Sequence, residues 1–273
     1  MKRWTCILLL CALLVLPVRA EEPTRYIALT FDDGPSGRFT ERLLDGLAAR
    51  GVKATFFLCG YRIDQYPTLT ARIAEEGHEI GTHGDRHKFF TQLSREEVCA
   101  DLAAASEKIR AATGSEPTLL RPPGGLYDAK ILRQTVCADL PIILWSVDPE
   151  DWHCFDCDSV TRRIVRKAKD GDIILMHDMT DSSVDAALRV IDTLQAEGYV
   201  FVTVSELAAL AGTELCGGET YYRISLEKNA SMAAREAQTE PCTKPDLPPP
   251  RPFSEEFSRF ASSRRSPFAS NRT

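Results

Sequence analysis

Seven short apolar runs, each followed by a stretch of helical periodicity, constrain this chain more than any other feature. The runs are Tyr26–Phe31, Ala54–Leu58, His78–Thr82, Thr118–Arg121, Ile142–Val147, Asp172–Met176 and Val200–Val204. Each has the length and the flanking punctuation of a buried strand. Between them fall helix patterns at Phe39–Ala49, from about Thr68 to Glu76, from a Ser94 cap to Thr113, over roughly Ala129–Cys137, and at Ser159–Ala168 and Ser183–Glu197. Ser94 with Glu97 three residues on reads as a capping box, and a last turn of helix is expected to begin at a Ser205 cap. Alternation of this kind predicts an α/β protein with parallel strands, because parallel neighbours need crossover helices.

An open doubly wound sheet and a barrel both fit the rhythm. Polar, chemistry-bearing residues follow five of the seven strands. A barrel gathers its chemistry at the C-terminal mouth, whereas an open sheet concentrates it near one switch point. The expectation is therefore a (β/α) barrel short of the usual eight units, with about seven.

The ends of the chain read differently. Lys2 and Arg3, the apolar run Ile7–Leu16 and Val18-Arg19-Ala20 make residues 1 to 20 a signal peptide. Cys11 lies inside the apolar run, but Leu10 before it disfavours a lipoprotein signal. No other stretch is apolar enough to cross a membrane, so a secreted or extracytoplasmic protein (periplasm or cell wall) is expected. The folded domain is placed at 21–212. Residues 213–273, with Pro248–Pro250 and Ser-rich stretches, read as a linker-like or disordered tail.

With 273 residues, the chain is long enough for one full core. Its net charge of -6 carries no footprint for nucleic acid, and a monomer is expected. Beyond the signal peptide stand Cys59, Cys99, Cys137, Cys154, Cys157, Cys216 and Cys242. In an oxidising compartment Cys154 and Cys157 are expected to form a local disulfide, since no second pair completes a zinc knuckle. Cys59, Cys99 and Cys137 are expected to be small buried side chains.

The first strand runs into Asp32-Asp33-Gly34-Pro35, which places two adjacent carboxylates where a buried strand ends. This is also good turn chemistry. His83 and His87, spaced i, i+4 at the end of the third strand, can converge on one metal ion or be independent surface histidines. One of the two aspartates would complete a set of two nitrogens and one oxygen, leaving positions open for water and substrate, as catalytic metal sites do.

Five motifs in order, Thr30–Pro35 (TFDDGP), His83–His87 (HGDRH), Arg121–Gly125 (RPPGG), Asp148–Trp152 (DPEDW) and Leu175–His177 (LMH), together resemble those of NodB-type polysaccharide deacetylases, carbohydrate esterase family 4. The resemblance covers roughly Arg25 to Leu210. It implies a distorted, incomplete (β/α) barrel, one divalent metal ion, zinc foremost with cobalt or another as alternatives, and hydrolysis of N-acetyl groups on polysaccharide. Position by position, it implies that Asp32 is the general base and that Asp33, His83 and His87 are the metal ligands. Arg121 would hold Asp32 ionised. His177 would be the general acid, supported by Asp151 rather than by Asp148. Trp152 and Leu175 would wall the acetyl pocket, and a backbone N–H near Gly124 would face the oxyanion. Gly124 stands where the family often has an aromatic residue, so an aromatic stacking surface is expected to be missing at that subsite.

The implied activity is N-deacetylation of an N-acetylglucosamine polymer, with peptidoglycan ahead of chitooligosaccharide or acetyl-xylan. Two readings from other classes are an inactive glycan-binding barrel and an interaction protein acting through its Pro-rich tail.

Overall fold

The computed structural model describes residues 24 to 226, apart from 127–129, 132–134 and 136. The expected signal peptide, the tail beyond Leu226 and most of the helix expected at Ala129–Cys137 lie outside the described residues. Among the described residues no helix is long and apolar enough to cross a membrane.

The centre of the sheet is β1 (Arg25–Asp32), parallel to every strand it touches. It pairs with β2 (Thr55–Leu58) over Thr30–Asp32, with β5 (Ile173–His177) over Ala28–Asp32, and with β6 (Tyr199–Val202) over Arg25–Ala28. β2 pairs in turn with β3 (Glu79–Thr82). From β3, single bridges lead from Thr82 to Leu120, from Leu120 to Ile142 at the start of β4 (Ile142–Ile143), and from Val147 to Ile174 on β5. Followed round, the sheet returns on itself as a distorted barrel.

Strand alternation divides β1 between two environments. Ile27, Leu29 and Phe31 point out into the main core under α1 (Arg38–Ala49) and the helix Asp181–Ala196, where Leu43, Leu47, Val190 and Leu194 are all fully buried. Thr30 and Asp32 point into the barrel. The expected strands at Thr118–Arg121 and Ile142–Val147 are cut down to Leu120 and to Ile142–Ile143 plus Val147. In the second of these, the Arg121 guanidinium takes the Ile143 and Leu144 carbonyls, which a longer ladder would use.

The helical elements follow the expected order. A short α2 (Gly60–Gln65) precedes α3 (Pro67–Glu75). α4 (Arg95–Thr113) opens on the Ser94 capping box with both bonds present and closes on Gly114 at φ 77. α5 (Cys157–Lys167) and α6 (Asp181–Ala196) are capped by Asp156 and Thr180. α7 (Val204–Ala211) is capped by Thr203 with Glu206, not by Ser205.

Two further expectations are corrected. Cys154 and Cys157 are free thiols. The disulfide instead joins Cys99 on α4 to Cys137, whose Cα atoms lie 6.0 Å apart, a separation that a disulfide spans. Cys216 is also disulfide-bonded.

The domain does not stop at Gly212 either. Thr220–Tyr221 forms β7, parallel to β4, and Leu144 N–H donates to the Tyr221 carbonyl at 2.8 Å. Ile224, 2% exposed, packs with Ala28, Ile173 and Val204, and Arg223 Nε reaches Asp172 at 2.7 Å.

Burying Ile224 and part of Tyr221 stabilises by about 1.5–3 kcal/mol per side chain. Removing residues 213–273 is expected to lower the melting temperature by more than about 5 °C relative to removing only 227–273. Equal midpoints for the two truncations, measured by calorimetry, would show that β7 adds nothing.

Candidate active site

The site begins at the end of β1. Asp32 lies in register with Phe57 on β2 and His177 on β5, so three strands deliver side chains to one mouth. Asp32 is 3% exposed and Arg121 0%. Arg121 Nη1 donates to Asp32 Oδ1 at 2.7 Å and to Thr30 Oγ1 at 2.8 Å. Its Nε and Nη2 donate to the carbonyls of Ile143 and Leu144 at 2.9 and 3.0 Å, and its guanidinium lies 4.0 Å from the centre of the Phe57 ring. A guanidinium buried this completely tolerates its desolvation only with its donors occupied and an anion beside it. Burial lowers it from its ordinary value and Asp32 opposes that shift.

At Asp33 the chain leaves the strand with φ 69, and His87 has φ 53. Left-handed backbone at non-glycine residues costs energy and collects at functional sites. Here it brings Asp33, His83 and His87 together with one ligand atom of each within 4.8 Å of the others. Asp33 Oδ1 is 2.9 Å from His87 Nε2 and 3.4 Å from His83 Nε2. It is buried and makes no hydrogen bond. Burial opposes its ionisation, but the two histidines outweigh that, His87 by charge foremost, and hold its carboxyl well below the usual carboxylate range. His83 Nδ1 lies 2.6 Å from the Arg121 carbonyl. A carbonyl only accepts, so Nδ1 carries the proton and the Nε2 lone pair faces the cluster. Two imidazole nitrogens and an unsatisfied buried carboxylate oxygen fit a divalent cation.

α4 holds the loop that carries the histidines. Asp101 Oδ2 accepts from Asp85 N–H at 2.7 Å, and Lys108 Nζ donates to Asp85 Oδ1 at 2.7 Å. Gly84 is required between the histidines, for it sits at φ 77 with Asp101 Oδ2 2.6 Å from where a Cβ would stand.

Across the mouth, His177 Nδ1 pairs with Asp151 Oδ1 at 2.9 Å, and Asp151 Oδ2 accepts the His177 backbone N–H at 2.9 Å. Burial works against a charged imidazole here, yet fully buried Asp151, with Asp33 and Asp32 beyond it, pushes His177 up to about 10. Asp148 faces the same cavity and its carboxyl is raised by burial.

The cavity is lined by Asp32, Asp33, His83, His87, Asp148 and His177, with Gly124, Trp152 and Leu175 completing its walls. All ten residues singled out from the sequence therefore meet at one mouth, Arg121 and Asp151 lying directly behind it. Phe89 and Trp145 also line it and were missed, as were Asp101 and Lys108. Each depends on a tertiary contact with no local signature.

The polysaccharide deacetylase family model matches residues 19–142. The peptidoglycan-N-acetylglucosamine deacetylase PgdA of Listeria monocytogenes is 39% identical over 196 residues, 72% of this chain and 41% of the relative. The chain thus spans about two fifths of that protein's length. A solved structure described as T48 deacetylase with substrate superposes with a TM-score of 0.69 at 40% identity, covering 72% of this chain and 96% of the other. A family 4 acetyl xylan esterase from Clostridium thermocellum, solved with a cobalt ion, gives a TM-score of 0.69 at 30% identity and covers 74% and 100%. Arriving on a barrel with this mouth, these matches place the chain in the polysaccharide deacetylase family, carbohydrate esterase family 4.

A histidine held cationic by Asp151 serves as an acid until pH rises through its pKa. Asp151→Asn keeps an acceptor for Nδ1–H but removes the charge that raises the pKa. The alkaline limb of the pH–rate profile is then expected to move to lower pH by about one unit or more. An unmoved limb would show that His177 is not the group that titrates.

Proposed function

We propose that this chain is an exported, metal-dependent N-deacetylase acting on an N-acetylglucosamine-containing glycan, with peptidoglycan as the polymer. The observation that carries the reading is the convergence on one cavity of a carboxylate paired with a buried arginine, a two-histidine-one-aspartate cluster and a carboxylate-backed histidine. Export is supported by the signal pattern of residues 1–20, and the choice of polymer by the name of the Listeria relative.

Asp33, His83 and His87 would hold the ion. Zinc suits two nitrogens and one oxygen, and a bound divalent ion would polarise the acetyl carbonyl and acidify water. Asp32, oriented by its bond from Arg121, takes the proton of the attacking water. The backbone N–H at Gly124 is assigned to the oxyanion. His177 gives its Nε2 proton to the departing sugar nitrogen as the carbon–nitrogen bond breaks, and acetate and a free amine leave. Asp151 stabilises the imidazolium until that transfer. Trp152 and Leu175 enclose the acetyl methyl.

Three variants test the roles by metal content and acetate release. Asp33→Ala removes the one carboxylate of the cluster and is expected to lower metal occupancy sharply. Asp32→Asn and His177→Ala are expected to keep the metal, with Asp32→Asn losing roughly 10²- to 10⁴-fold in rate. If Asp32→Asn loses the metal and Asp33→Ala keeps it, the two roles are exchanged. Full activity in all three would show that these residues are not the hydrolytic site. Parallel assays on peptidoglycan, chitooligosaccharides and acetyl-xylan decide the polymer, and release from acetyl-xylan alone would make it an ester hydrolase.

A further inference from the structure

Gly124, which lines the cavity, and its neighbour Gly125 carry more structure than their lack of side chains suggests. Gly124 and Gly125, in the 3-10 turn Pro123–Gly125, have φ of 69 and 62. An L side chain at either position would be strained by the backbone alone. Each is also covered by an aromatic ring from another part of the chain. A Cβ at Gly124 would stand 2.9 Å from Phe89 Cε1, and one at Gly125 would collide with the Trp145 ring. The Gly-Gly backbone is thus a platform on which two rings rest.

Of the two, Trp145 is tied into the interior. It packs on the cluster around Leu120, Ile131 and Leu144, and its ring lies 5.6 Å from the Arg121 guanidinium. Phe89 is placed differently. Its neighbour Phe90 is 0% exposed beside Val98 and Leu102, while Phe89 is half-buried and lines the cavity, edge-on to His87 with ring centres 6.3 Å apart. Adjacent phenylalanines therefore face opposite ways, one into the core and one into the mouth. A flat apolar ring beside Asp33, His83 and His87 gives this wall of the cavity an uncharged surface next to charged donors and acceptors. A pyranose ring matches that combination, offering one apolar C–H face and hydroxyls at its rim.

We propose that Phe89, seated on Gly124, is the specificity-determining residue that stacks against a pyranose ring of the substrate, so that the chain selects sugar-borne acetyl groups over acetyl groups on small non-sugar carriers. The inference rests on the deacetylase reading above. It assigns to the loop after β3 an aromatic surface that position 124 does not supply.

The test compares metal-loaded wild type with Phe89→Ala, Phe89→Leu and Phe89→Trp on an N-acetylglucosamine pentamer and on an aryl acetate. Phe89→Ala is expected to lower kcat/KM on the pentamer about tenfold more than on the aryl acetate, with the loss residing in KM, as removal of a binding contact does. Phe89→Trp is expected to recover most of the loss and Phe89→Leu, which restores bulk without a flat face, little of it. An unchanged pentamer KM in Phe89→Ala overturns the proposal. Equal losses on both substrates would overturn it too, since the ring would then serve the fold or the metal cluster. So would Phe89→Leu matching Phe89→Trp. Wild-type protein that cleaves the aryl acetate but no acetylated glycan would instead defeat the deacetylase reading, and this inference with it.

Discussion

The buried pair of Arg121 and Asp32 is the interaction on which the rest of the structure depends. Desolvating both ions costs several kcal/mol each, and proximity alone does not recover that. Arg121 recovers it through four hydrogen bonds, to Asp32, Thr30, Ile143 and Leu144, with the face of Phe57 alongside. The same bonds take two carbonyls out of the ladder and leave the barrel irregular between β4 and Val147. Arg121 also orients the neighbouring cluster, because its own carbonyl fixes the His83 tautomer. One side chain and its backbone therefore orient a carboxylate and an imidazole and bear on the course of the sheet.

The two sides of the mouth are electrostatically opposite. β1 presents Asp32 with a cation behind it, and β5 presents His177 with an anion behind it. Each partner is buried deeper than the group it supports, and Asp151 stabilises the charged form of His177. A carboxylate beside a cation and an imidazole beside an anion, facing one cavity, give that cavity one proton acceptor and one proton donor. A third buried acid braces the turn between them. Asp178, pushed up to about 6 by burial, accepts from the Thr40 hydroxyl, and Thr40 Oγ1 receives the Ser36 N–H at 2.6 Å. The loop that follows Asp33 is thereby tied to the residue that follows His177.

What was legible in the chain was what is local. The Asp32-Asp33-Gly34-Pro35 strand end, the i, i+4 histidines and the Ser94–Glu97 capping box each signal within a few residues. Thr203 with Glu206 was equally local and was missed, since Ser205 has Ala208, not an acid, three positions on. β7 was hidden because a two-residue strand has no period to detect. The pairing of Cys99 with Cys137 spans 38 residues, and the Cys-x-x-Cys spacing drew attention to the wrong cysteines. Phe89 and Trp145 carry no local signal. Their place in the mouth follows only from the two glycines beneath them.

Neighbouring side chains on a regular strand point to opposite faces, so Asp32 and Asp33 would not share a cavity if β1 simply continued. The left-handed φ of 69 at Asp33 turns the second carboxylate back toward the first. The two groups are thus delivered by adjacent residues, while their side chains are held by separate partners, Asp32 by Arg121 and Asp33 beside His83 and His87. A shift of β1 as a whole carries the backbone of both residues together. The aromatic wall has no such shared backbone, because Phe89 and Trp145 come from separate parts of the chain.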